Sequence, residues 1–149
     1  MRSPVSQQRS GNDTGADTFA AYLKFRAAHP AIEVHTFIDE ELASRQLADV
    51  DWYLLKETDL ETALNTDRGY TVLQRDDLII GLAFAQLLID GQLDADVRKR
   101  AIAALRRQGT DAVLAFRGGG REDARKKQMI GYQQILEAVS SCREYPFPP

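Results

Sequence analysis

The chain of 149 residues holds one cysteine, Cys142, and only two histidines, His29 and His35. A single thiol excludes a disulfide scaffold, and so few soft ligands exclude a cysteine-rich zinc or iron–sulfur site. Neither histidine stands in an HExxH or comparable spacing, so each reads as a surface or half-buried side chain and no metal is expected. An excess of basic charge is missing too. There are 19 Lys and Arg against 22 Asp and Glu, a net charge of −3. That excludes a histone-like or RNA-coating protein. An acidic disordered tail is excluded by the 44% of apolar residues. The longest apolar run, Leu78 to Ile89, has 12 residues and is interrupted by Gln86. A bilayer span needs about 20. The first residues, Met1 to Ala16, carry no apolar stretch of the secretory type. A cytoplasmic protein with no membrane partner is the expectation, and the lone thiol agrees with a reducing compartment.

The signatures of catalysis are equally thin. There is no GxSxG serine, and Cys142 has no histidine beside it in a recognisable pattern. Asp90 to Asp96 superficially resembles a calcium loop but lacks the glutamate of the twelfth place. The loop Gly118-Gly119-Gly120 has the glycines of a phosphate cradle, yet neither GxxxxGK[ST] nor a GxGxxG after a strand. Glu122 and Asp123 stand where an anion would sit. No catalytic residue and no cofactor are expected.

Periodicity predicts a mainly α, bundle-like single domain with one small two-stranded β element in its N-terminal half. Residues 1–16 read as a flexible tail, 17–143 as the helical domain and 144–149 as an extended tail rich in proline. Phe19, Tyr22, Leu23 and Ala27 lie on one helical face after a cap at Asp17 or Thr18. Ile32, Val34, Thr36 and Ile38 alternate with Glu33, His35 and Phe37 and read as a half-buried strand that could pair with Tyr70 to Leu73. Helices are expected over 40–48 behind Asp39, over 51–57, and over 59–65 behind the capping box Thr58-Asp-Leu-Glu61. Asp76 or Asp77 caps the apolar helix 78–89, which belongs at the centre of the fold. Asp94 caps a helix over 95–108 with Gly109 as its left-handed end. Thr110 starts a short helix to Phe116, and a last helix spans 122–141 with Met129, Tyr132, Leu136 and Val139 inward.

Charge is segregated along this framework. From Pro30 to Asp67 there are ten acids and two bases, and from Gly91 to Lys127 ten bases and five acids. Trp52 and Tyr53, with Glu57 and Glu61, form an acidic aromatic surface suited to a partner protein. Arg98, Arg106, Arg107, Arg121, Arg125 and Lys126 form a basic set that attracts anions, nucleic acid among them. The functional expectation is a non-enzymatic interaction or regulatory module that works through charged helical surfaces. It pairs with a protein partner, a second copy of the chain included. The alternative is a winged helix-turn-helix DNA-binding regulator with Tyr70 to Leu73 as wing and the later helices as dimerisation region. Acids dominate its recognition segment, which is the wrong sign for groove reading.

Overall fold

The computed structural model describes residues 10–45, 57–65, 69–139 and 142–143, and these are mostly helical. Seven helices occur among the described residues: α1 Ser10–Ala28, α2 Val34–Ser44, α3 Glu57–Leu64, α4 Gly69–Asp90, α5 Ala95–Gln108, α6 Asp111–Arg117 and α7 Glu122–Glu137. Two strands of two residues, β1 Leu93–Asp94 and β2 Cys142–Arg143, pair in parallel with Leu93 opposite Cys142. None of the described helices is long and apolar enough to cross a membrane.

Helix α4 is the element on which the others converge, because almost its whole circumference is apolar. Leu78, Ile79, Leu82, Ala83 and Ala85 are buried, and Ile80, Phe84, Leu87 and Ile89 pack against the same core. Tyr22 of α1, Phe37 and Leu42 of α2, Leu105 of α5 and Leu136 of α7 complete it. A smaller cluster around the start of α4 joins Leu60 and Leu64 of α3 to Val72, Leu73 and Val113. Gly69 opens α4 at a point of close approach. A Cβ there would lie 2.6 Å from Cζ of Phe116.

Caps place several helix starts. The Asp94 side chain accepts from the amides of Asp96 and Val97, and Thr110 accepts from Val113. These two starts match the sequence reading. Elsewhere tertiary packing overrides it. The expected β element of 32–38 with 70–73 is helical from Val34 onward and throughout 70–73. Val34, Phe37, Ile38 and Leu42 are buried at intervals of three, one and four, while Ile32 and Thr36 of the supposed inner face are exposed. The same residues carried both periods, and burial of the helical set decides between them. Residues 70–73 continue α4 because Val72 and Leu73 lead into Arg75, Asp76 and Ile79 on its buried side. The helix expected over 40–48 accordingly starts at Val34, behind Glu33 rather than Asp39.

Helix α1 begins at Ser10, so part of the expected tail is helical and neither Asp17 nor Thr18 is a cap. Thr18 lies buried on its inner side. Helix α3 begins at Glu57, two residues ahead of the expected start. Gly109 ends α5 at φ −90, outside the left-handed region. The left-handed glycines are those of the α6–α7 loop, Gly118, Gly119 and Gly120, at φ 65, 89 and 72. Helix α7 ends at Glu137, four residues before the expected limit. Residues 51–56, and with them most of the expected helix 51–57, lie outside the described residues, as do 144–149.

Candidate anion-binding cavity

A cavity of about 310 Å³ opens between α1, α4 and α7. Its floor is one face of α4, where Asp77, Ile80, Gly81 and Phe84 follow at helical spacing. Helix α7 supplies Arg125, Gln128, Met129 and Tyr132, and α1 supplies Ala16 and Phe19. The ends of α5 and α6 add Gln108 and Arg117. The chemistry is graded along its length. Phe84 and Tyr132 meet edge to face at one end, with ring centroids 5.3 Å apart. Charged groups converge at the other.

Those charged groups form a chain of bonds inside the protein. Asp76 is buried, and its two oxygens receive Nε of Arg107 at 3.2 Å each and Nη2 at 2.8 Å. Gln108 donates Nε2 to the same carboxylate at 2.9 Å. The Gln108 carbonyl in turn accepts Nε and Nη2 of Arg117 at 3.0 and 2.7 Å. Arg117 also pairs with Asp77 at 3.1 Å. Burial raises the Asp76 pKa, against the opposing pull of Arg107 and Gln108. Burial raises Asp77 as well, against Arg117.

Arg125 stands apart from this chain. Its half-buried guanidinium lines the cavity and makes no hydrogen bond or ion pair with any described residue. Burial lowers its pKa, the Arg117 charge lowers it further, Asp77 pulls the other way, and Arg121 adds to the lowering. Asp77 is the counter-charge that acts on it, but Asp77 is bonded to Arg117.

The packing disperses the basic residues singled out in the sequence. Arg98 donates to the carbonyls of Leu136 and Glu137 at 3.0 and 2.8 Å, closing the C-terminal end of α7. Arg107 faces inward onto Asp76. Arg106 is exposed, 3.9 Å from Glu137, and Lys126 lies 3.6 Å from Asp111. Arg121 is exposed at the mouth of the α6–α7 loop. Only Arg125 of the set faces the cavity. Glu57 and Glu61 lie on α3, and Trp52 and Tyr53 fall outside the described residues. Sequence reasoning missed Asp76, Asp77, Gln108 and Arg117 as a unit, because Asp76 and Asp77 were read as helix caps. The signal available was two adjacent acids ahead of an apolar helix, matched by Arg107 and Arg117 further on.

One other cluster has the composition of a metal site. Ligand atoms of His35, Asp94 and Asp96 all lie within 4.8 Å of one another. They are already engaged. Nδ1 of His35 faces Glu33 at 2.6 Å and Nε2 faces Asp96 at 2.8 Å. Asp96 also takes Nε of Arg100 at 2.9 Å, and Asp94 Oδ1 caps α5. Burial lowers the His35 pKa, but Asp96, Glu33 and Asp94 together outweigh it and the net shift is upward. The cluster is a clasp between α2 and α5 around the His35 imidazole.

Comparison with protein-family models, with curated proteins and with solved structures finds no match to this chain.

Proposed function

We propose that the protein is a non-enzymatic regulatory module that binds a small amphipathic organic anion in the cavity between α1, α4 and α7. The observation that carries this reading is Arg125, a half-buried cation without a bonded partner among the described residues, at the polar end of an otherwise apolar cavity. The neighbouring polar groups are bonded to one another, so they orient rather than react. Cavities of about 300–1,000 Å³ with a few convergent polar groups are the usual form of small-molecule sites. The test is fluorescence titration with 8-anilino-1-naphthalenesulfonate, an anion with an apolar body. Saturable binding at one site is expected, and Gly81→Leu, which places a side chain in the cavity floor, abolishes it. Equal binding by both proteins overturns the reading.

A second reading, association with a further copy of the chain, has a specific observation in its favour. Leu88 is 75% exposed and Ile135 is 51% exposed. They follow Phe84 and Tyr132 by four and three residues on α4 and α7, at the apolar end of the cavity. Sedimentation over a wide concentration range tests this, and a monomer throughout overturns it. Residues 70–73, expected as the wing of the DNA-reading alternative, are helical, and the first part of its recognition segment, 51–56, lies outside the described residues.

A further inference from the structure

Among the described residues, the charges at the polar end of the cavity do not cancel. Asp76 and Asp77 contribute two negative charges, and Arg107, Arg117 and Arg125 contribute three positive ones. Asp76 is matched by Arg107 and Asp77 by Arg117. Arg125 is the surplus. Arg121 beyond it is exposed, and water screens an exposed charge. One negative charge therefore balances the site, and a second would lie against Asp77.

The remaining donors have a definite shape. The Gln108 carbonyl is taken by Arg117 and its Nε2 is given to Asp76. Arg117 commits Nε and Nη2 to Gln108 and Asp77. Among the described residues, Arg125 is the lining cation whose guanidinium has no hydrogen-bond or ion-pair partner, so its whole fork is left for a ligand, while Arg117 keeps only Nη1. A planar fork matches the two coplanar oxygens of a carboxylate. Behind it lie Ile80, Phe84, Met129 and Tyr132, which offer apolar and aromatic contact but no charge. The volume is at the lower end for small-molecule sites, which suits a single-ring or medium-chain body.

Resting on the ligand-binding reading above, we infer that the cavity selects a monoanionic carboxylate with a compact apolar body, an aryl or medium-chain carboxylic acid, over phosphate esters and over neutral analogues. A phosphate ester carries about −1.5 to −2 at neutral pH, so it brings surplus negative charge beside Asp77. A neutral amide leaves the Arg125 charge unbalanced. Asp77 is thus the specificity-determining residue against phosphate, and Arg125 the residue that holds the head group.

The experiment is isothermal titration calorimetry on the full chain at pH 7 and fixed salt, with 4-phenylbutyrate, 4-phenylbutyramide and phenyl phosphate as probes. The carboxylate is expected to bind at least about tenfold tighter than either competitor, the range of a charge-assisted hydrogen bond. Arg125→Gln weakens the carboxylate by about 10- to 100-fold on the same grounds and leaves the amide unchanged. Asp77→Asn narrows the gap between carboxylate and phosphate. Circular dichroism checks that both variants are folded, and the ranking of the three probes on the unaltered chain decides the matter without them. Tighter binding of phenyl phosphate overturns this inference and leaves the ligand-binding reading standing. An amide that binds as tightly as the carboxylate overturns both, as does the absence of binding by all three.

Discussion

Replacing Asp76 by alanine tests the buried network on which the cavity depends. The substitution removes the acceptor for three Arg107 contacts and for Nε2 of Gln108. Breaking one partner of a buried pair costs about 3–5 kcal/mol, because the other charge stays behind without compensation. The Arg107 side chain is 14% exposed and can reach some water, which places it near the lower bound of about 3 kcal/mol. Gln108 is 2% exposed, and its stranded amide adds about 1 kcal/mol. The sum of about 4 kcal/mol is a large part of a usual stability of about 5–15 kcal/mol. It corresponds to a fall in Tm of about 8–16 °C at this chain length. Urea unfolding followed by circular dichroism at constant slope measures it. The double change Asp76→Leu with Arg107→Met removes both charges, so only the stranded amide remains and stability returns to within about 1–2 kcal/mol of the unaltered chain. A loss below about 1 kcal/mol for Asp76→Ala, or a double variant less stable than the single one, refutes the reasoning. The same single substitution releases Gln108 from one side.

Three further outcomes are expected. Because the His35 pKa is raised in the folded chain, its contribution to stability is full below the unfolded value of about 6.5 and is lost as pH rises through the folded value. His35→Gln removes that component of the pH dependence, and urea midpoints at several pH values compare the two. Arg26 donates to the carbonyls of His29, Pro30 and Ile32 and to Asp90, so Arg26→Ala unties the end of α1 from α4 at a cost of about 2–4 kcal/mol in unfolding free energy. Gly69→Ala drives a Cβ into the Phe116 ring and destabilises by about 1–3 kcal/mol, whereas Gly69→Ala combined with Phe116→Leu restores most of it in thermal melts.

Much of the helical frame was legible because local chemistry and packing agree there. Asp94 and Thr110 are caps whose side chains find the amides that their positions promise, and the apolar run after Leu78 is buried or half-buried except at Leu88. The alternation from Ile32 to Ile38 was misleading for a definite reason. Val34 and Ile38 satisfy both a period of two and a helical spacing, and the burial of Phe37 with the exposure of Ile32 and Thr36 separates them. The cavity was not legible at all. It depends on Arg117 and Arg125 being brought to the Asp77 end of α4 by a loop of three glycines, and a distance across three helices has no local trace. Asp76 and Asp77 were legible as acids at a helix start but not as interior ion-pair partners. Capping and burial call for the same residue type.

Gln86 carries a consequence for how α4 is seated. A helix that is apolar on nearly every side has several rotational settings of similar energy, each burying a different strip. The Gln86 carbonyl accepts the backbone amide of Asp94 at 3.0 Å, and its Nε2 finds no hydrogen-bond partner among the described residues. The stranded Nε2 is a local penalty of about 1–3 kcal/mol. In return, only one azimuth of the helix lets that carbonyl reach the turn into α5, so competing arrangements of the same greasy cylinder lose a bond that the native one keeps. Gln86 is the key that distinguishes one orientation from its near-equals.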